Sequence, residues 1–124
     1  MTKKITLDVV KQIYPLAKNV HKGRLNIKDA QDKLVRDVEM NPSSAGGYVR
    51  VFLRMMKGER YTRTINQDAT RHFLKMIHAD FGQQALCEAL SSVKHHTKYY
   101  KSRRSGGLPA IERIYNDFYK KYIA

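Results

Sequence analysis

Apolar residues recur at intervals of three and four along nearly the whole chain, and polar residues occupy the positions between them. This interval matches the turn of an α-helix. Strict alternation of apolar and polar residues, which is typical of a half-buried β-strand, is not convincing in any segment. The pattern predicts an all-α fold, a compact bundle of five or six helices. Because 124 residues suit one core, we expect residues 1–124 to form a single domain.

Capping residues and glycines predict where the first two helices begin and end. Thr6 is a suitable N-cap for the first helix, which we expect to end at Gly23. Pro15 lies inside this helix and predicts a kink or a split. Asn26 caps the second helix, whose apolar positions continue at three- and four-residue intervals to Val38.

The third helix begins at Pro42, with Asn41 or Ser43 as its cap, and ends at Gly58. A short turn separates it from the second helix, so the two predict a helix-turn-helix-like pair with the third helix in the recognition role. The later predicted elements are a fourth helix from Thr64 or Asn66 to Gly82, a fifth from about Gln83 to Lys101, a loop over 102–107 and a last helix from Pro109.

The net charge of +13, from 24 basic and 11 acidic residues, is concentrated in two parts of the chain. Residues 8–40 hold seven basic and five acidic side chains, which is typical of a solvated helix pair. Residues 50–75 hold seven basic and two acidic side chains, and residues 94–104 hold five basic ones and no acid. An excess of this size favours an anionic partner, and nucleic acid is the first interpretation.

The third helix combines a wide apolar face with a narrow basic stripe. At about 100° per residue, its apolar side chains cover roughly 200°, and Arg50, Arg54 and Lys57 share roughly 80° with Ser43 and Gly47. Small residues and hydroxyls at its start, including Ser44, permit close approach to a phosphate or base. Alternatively, Ser43 caps the helix, the glycines allow tight packing, and the arginines face water.

The segment RYTRTIN, residues 60–66, holds two arginines and no acid. Thr64 or Asn66 is expected to cap the fourth helix, and Ile65 to dock in the core as a hydrophobic staple. Capping does not account for Arg60 and Arg63, which can bind phosphate or a base edge. Tyr61 packs against the bundle or stacks on an unpaired base.

The predicted DNA contact combines the stripe, this segment and the basic end of the fifth helix. Its residues are Ser43, Ser44, Arg50, Arg54, Lys57, Arg60, Tyr61, Arg63, Thr64, Asn66, Arg71, Lys98, Arg103 and Arg104.

No catalytic or metal-binding pattern is evident, so we expect no enzyme activity and no cofactor. His95 and His96 are adjacent and point about 100° apart on a helix, and His72 and His96 fall at the edges of apolar faces, where satisfied core histidines are commoner. The single cysteine, Cys87, excludes an internal disulfide and a cysteine-based zinc site. No apolar run approaches the ~20 residues of a membrane span, and we expect a cytoplasmic protein without a membrane partner.

Several short motifs resemble the helical module found at the amino terminus of many bacterial HNH-type, restriction-like endonucleases. The matching pieces are Met40-Asn41, Ser44-Ala45, residues 61–66 (Y-x-R-T-I-N), Asp80-Phe81-Gly82 and residues 89–100 (AL-x-SV-x-x-H-x-x-YY). One departure is the polar run His95-His96-Thr97, which is usually less polar at its third position. The resemblance covers about residues 5–120 and implies a module that binds DNA and delivers a nuclease domain. No HNH pattern follows to Ala124, so we expect a domain of a larger protein or a stand-alone binder.

Three interpretations therefore stand at the level of sequence, and none assigns an oligomeric state. The first is a non-catalytic module that binds duplex DNA, in a nuclease or a defence or regulatory system. The second is an adaptor that docks on acidic protein surfaces. The third is an RNA-binding module in which Tyr61, Tyr99 and Tyr100 act as stacking platforms.

Overall fold

A computed structural model describes residues 4–103 and 106–124, and it confirms the all-α fold. Its six helices are α1 Leu7–His21, α2 Ile27–Val38, α3 Pro42–Lys57, α4 Gln67–Phe81, α5 Gln83–Arg103 and α6 Pro109–Tyr122. Within these described residues no β-strand occurs. The contacts between residues group into two compact units, Met1–Leu53 and Arg54–Ala124, and the single domain stays a prediction.

In the amino-terminal unit, the predicted caps hold the ends of α1 and α2. The hydroxyl of Thr6 accepts from the amide of Val9, and the Asn26 side chain accepts from the amide of Asp29. Of the two outcomes predicted at Pro15, a kink or a split, the split does not occur: α1 continues through Pro15, and the chain loses one hydrogen bond there without leaving the helix. The ring of Phe52 from α3 meets the ring of Tyr14 edge-on, with centroids 5.5 Å apart.

A turn of three residues joins α2 to α3, which is the length that helix-turn-helix motifs use. Glu39 adopts a left-handed conformation, with φ of 63°. The Asn41 side chain then accepts from the amide of Ser43 at 2.8 Å, so Asn41 rather than Ser43 fills the capping role. Gly47, predicted on the polar stripe, is buried.

α3 lies close to α2 at the neighbouring Gly46. A Cβ atom placed on Gly46 would lie 3.5 Å from the Gln31 side chain and 2.8 Å from the Arg50 guanidinium. Gln31 also donates to the carbonyl of Pro42 at 2.7 Å. A Cβ at this position would meet Gln31 at an ordinary contact distance and would displace the end of the flexible Arg50 side chain, so the two helices lie close together here without a strict need for glycine.

The carboxy-terminal unit is built by packing α4, α5 and α6 against one another. Their inward residues are fully buried and include Phe73, Leu74, Ile77, Leu86, Val93 and Ile114. α5 runs to Arg103, further than the predicted Lys101, so Ser102 and Arg103 belong to its last turn and not to a loop. Arg104 and Ser105, also predicted in that loop, lie outside the described residues.

Among the helices of the described ranges, none is both long enough and apolar enough to span a lipid bilayer.

Candidate nucleic-acid interface

The basic segment, residues 60–66, is non-helical and is fastened to α5 through its backbone. The hydroxyl of Tyr100 donates to the carbonyl of Thr62 at 2.8 Å, and the ring of His96 contacts the carbonyl of Tyr61 at 2.6 Å. Just before the segment, the hydroxyl of Ser92 donates to the carbonyl of Glu59.

These three α5 residues share one face of the helix, because they are spaced four residues apart. We call Ser92, His96 and Tyr100 the anchor residues. They bind three carbonyls, those of Glu59, Tyr61 and Thr62, in a stretch that lies 33 to 38 residues earlier in the chain. The segment therefore lies along α5 in a defined register.

His96 is the buried centre of this arrangement, with 1% of its surface exposed. A carbonyl can only accept, so Nδ1 carries the proton and donates to Tyr61. Nε2 of the neutral ring then accepts from the Thr64 hydroxyl, 3.2 Å away. Burial lowers the pKa of His96, and the hydrogen bond to the Tyr61 carbonyl opposes this effect. The predicted satisfied core histidine is confirmed.

Tyr61 is turned inwards, where its ring stacks on His96 with centroids 4.2 Å apart. Only 4% of the residue is exposed, and its hydroxyl has no hydrogen-bond partner among the described residues. Burial also raises the pKa of this phenol. Of the two outcomes predicted for Tyr61, the structure shows packing against the bundle, and its ring is covered.

The capping alternatives for α4 are resolved in favour of Asn66. Its side chain accepts from the amide of Ala69 at 2.9 Å, whereas the Thr64 hydroxyl contacts His96 instead. Ile65 is 1% exposed, so the prediction that it docks in the core is confirmed. Thr64 and Asn66 therefore have structural roles, in binding His96 and in capping α4, in addition to any contact with a ligand.

Two arginines from distant parts of the sequence meet at Tyr99. The guanidinium carbon of Arg60 lies 4.9 Å from the centre of the Tyr99 ring, and that of Arg103 lies 4.6 Å from it. Both distances are within the range of a cation–π contact. The aromatic ring attracts the cations without cancelling their charge, so two positive groups are held side by side in positions that the segment and α5 define.

Other predicted contact residues of this unit are exposed but differ in their neighbours. Arg54 lies 3.7 Å from the Glu59 carboxylate, and Arg71 lies 3.4 Å from that of Asp117. Lys57 and Lys98 are exposed on α3 and α5, and Arg63 is exposed in the segment. Arg104 lies outside the described residues.

Three predicted residues belong to the amino-terminal unit: Ser43, Ser44 and Arg50. The first two lie in the first turn of α3, where Asn41 accepts from both of their amides. Arg50 is exposed about two turns further along α3.

The hydrogen bonds of the anchor residues to the segment, and the meeting of two arginines at Tyr99, were not predicted from the sequence. The sequence does contain one indication of these contacts. Ser92, His96 and Tyr100, which can all form hydrogen bonds, recur every four residues on α5, and the last third of this helix holds no acid. The carbonyls that they bind lie more than 30 residues away, and no pattern in the sequence identifies them.

Within the described residues, no group of three or more histidine, cysteine or acidic side chains is placed to hold a metal ion. The arrangement offers cations, hydroxyls and amides, which are the groups that bind phosphate and base edges.

Comparison of the chain with protein-family models, with curated proteins and with solved structures finds no match.

Proposed function

We propose that this chain is a non-catalytic module that binds duplex DNA through the carboxy-terminal unit. One observation carries the proposal. Two stretches of sequence that contain no acid, residues 60–66 and 94–103, are brought together on one surface by the anchor residues and by Tyr99. Either stretch alone would be no more than an ordinary basic segment of a protein surface.

Arginine suits a phosphate backbone because its planar guanidinium donates several hydrogen bonds and keeps its charge. Arg60 and Arg103 are already ordered by the Tyr99 ring, so less side-chain freedom is lost when a phosphate binds. Lys57 and Lys98 supply further positive charge in the same unit.

Duplex DNA is favoured over single-stranded RNA by the state of the three candidate stacking tyrosines. Tyr61 is stacked on His96, and Tyr99 carries two guanidiniums. Tyr100 donates its hydroxyl to Thr62, and its ring meets His96 edge-on at 5.0 Å. Because each ring is already engaged, base stacking would have to displace an existing contact.

The resemblance to the amino-terminal modules of HNH-type endonucleases supports a role in target recognition for a nuclease or a related defence system. Arg54 and Arg71 contribute less in this proposal, since each has a carboxylate nearby. Ser43, Ser44 and Arg50 lie in the other unit and form a separate candidate contact.

The decisive experiment is a salt titration of binding to duplex DNA of mixed sequence, followed by fluorescence anisotropy. Affinity should fall steeply as salt rises, because bound phosphates release counterions. Changing both Arg60 and Arg103 to glutamine should reduce the slope of log affinity against log salt by about 2. Arg24→Gln is the matched control, because Arg24 is an exposed arginine of the amino-terminal unit. Absence of binding at low ionic strength, or an equal loss in the control, would reject the proposal.

A substitution of Arg63 tests whether the segment contacts a base edge or the phosphate backbone. If Arg63 bonds a base edge, Arg63→Ala should cost roughly 1–3 kcal/mol and relax selectivity at one position. If it bonds phosphate, the loss should be similar on every sequence, and the salt slope should shrink by about 1. The melting temperature should change little, because Arg63 is exposed.

The adaptor interpretation makes the opposite prediction. An acidic protein partner would co-purify from lysate and remain bound after nuclease treatment, and the salt slope on DNA would be shallow. That result would replace DNA by a protein as the partner of this surface.

A further inference from the structure

We infer that the anchor residues are positioning residues for DNA binding: uncharged α5 side chains set affinity without contacting the ligand themselves. The inference rests on the proposed function, and it explains what sets the affinity of this chain for DNA. It names Tyr100 as the residue at which this role is best tested.

The backbone of the segment depends on side chains of α5 for its hydrogen bonds. The connection from α3 to α4 has nine residues, Gly58 to the cap Asn66, and residues 60–66 within it are not helical. A stretch of this kind samples many conformations unless side chains satisfy its backbone groups. Here Ser92, His96 and Tyr100 accomplish this by binding the carbonyls of Glu59, Tyr61 and Thr62.

The anchors also place the arginine pair. Tyr99 and Tyr100 are adjacent on α5, and their rings meet at 5.4 Å. Tyr100 holds the carbonyl of Thr62, and two residues earlier the Arg60 guanidinium lies on Tyr99. Ser92 and His96 hold the carbonyls on either side of Arg60, so the three anchors together fix the stretch that carries Arg60 towards Arg103, and loss of the Thr62 contact would weaken that hold.

A substitution of Tyr100 distinguishes an effect on the position of the segment from an effect on protein stability better than a substitution of the other anchors. Its hydrogen bond to Thr62 is solvent-exposed, whereas His96 is buried and Ser92 is fully covered. Tyr100→Phe removes one oxygen and leaves the ring in place. Tyr119→Phe is the matched control, because Tyr119 is the exposed tyrosine of α6, 42% accessible.

The first measurement needs no DNA. Trypsin cleaves after arginine, so the bonds following Arg60 and Arg63 report whether the segment is held. In Tyr100→Phe, cleavage at these two bonds should be about three- to tenfold faster, as expected for the loss of one hydrogen bond. The control should match the wild type. Equal rates in both variants would overturn the inference.

The second measurement is a salt titration with the same duplex DNA. Tyr100→Phe should weaken binding by about three- to tenfold at each salt concentration, with an unchanged salt slope, because no charge is lost. A merely structural change would instead lower the melting temperature without this signature. Ser92→Ala, which removes another anchor, should give the same pattern.

The two measurements distinguish failure of the proposed function from failure of the positioning role. If the wild type does not bind DNA, the proposed function and the positioning role both fall, while the proteolysis still shows whether Tyr100 holds the segment. If DNA binds but Tyr100→Phe binds equally well, the positioning role alone is wrong. Faster cleavage together with weaker binding at constant slope supports both.

Discussion

Two basic regions of the molecule differ in the partners of their cations. One is the helix α2, and the other is the basic segment together with the end of α5. On α2, Lys28 binds the Asp32 carboxylate at 3.0 Å, and Arg36 donates to both oxygens of Asp37. In the other region, Arg60 and Arg103 lie on the ring of Tyr99. Both sets of cations are exposed, but only the first is neutralised where it lies.

The difference teaches that net charge alone does not locate an interface. The carboxylate of Asp37 raises the pKa of Arg36, and the guanidinium lowers the pKa of Asp37, so each charge stabilises the other. An aromatic ring orders a guanidinium but leaves its full charge available to an anion. The neutralised region is solvated surface, and the aromatic region is the candidate interface.

The largest expected effect comes from removing the central anchor. His96→Ala leaves the buried carbonyl of Tyr61 without its donor and opens space beside the Tyr61 ring. Urea unfolding should show a loss of about 3 kcal/mol, from an unsatisfied polar group and a cavity. His95→Ala, at the exposed neighbouring position, should leave stability nearly unchanged. Equal effects at the two positions would remove the distinction between the anchor and ordinary surface.

Acid should act on the same region with a defined sign. Burial holds the pKa of folded His96 below its ordinary value of 6.5, so the neutral ring is the form that the fold stabilises. The contribution to stability is present above 6.5 and is lost as pH falls from 6.5 through the folded pKa. Unfolding free energies measured across this range should fall more steeply in the wild type than in His96→Asn. Parallel pH profiles for the two proteins would contradict the prediction.

Tyr61→Phe should change stability in the opposite direction and by less. The substitution keeps the ring on His96 and removes a buried hydroxyl that has no partner among the described residues. A gain of about 1 kcal/mol is expected, because an unsatisfied polar group carries a desolvation cost. A loss of stability in thermal unfolding would mean that the hydroxyl is satisfied in solution.

Much of the fold could be predicted, because helices are encoded by local intervals and local caps. The ends at Thr6, Asn26, Gly58 and Gly82 follow from residues that lie within one turn of them. The sequence left a kink or a split open at Pro15, and it could not decide the continuity of α1, since the penalty of a proline is set against the packing of the whole helix and not against its neighbours alone.

The candidate site could be predicted only in part. The charge of Arg60 and Arg103 was visible in the sequence, but their meeting at Tyr99 was not. Tyr61 was predicted as a contact residue with two possible fates, and its burial against His96 depends on a pairing across more than 30 residues. Periodicity reports which face of a helix is covered, and it does not report what covers that face.

The smallest expected effects are on α2, and they test the comparison most directly. Arg36→Gln removes a cation that already has a carboxylate partner, so neither thermal unfolding nor DNA affinity should change measurably. Arg60→Gln makes the same chemical change where the partner is a ring, and the salt slope should fall by about 1.

Asp37→Asn completes the test, because it leaves Arg36 with its charge and without its bidentate partner. If exposure and charge alone made an interface, this variant would bind DNA more tightly than the wild type. We expect no such gain, since α2 has no aromatic side chain to order the freed guanidinium. Anisotropy titrations of the three variants at one low salt concentration measure the difference. A gain in Asp37→Asn equal to the loss in Arg60→Gln would show that unpaired charge, and not its placement beside Tyr99, determines binding.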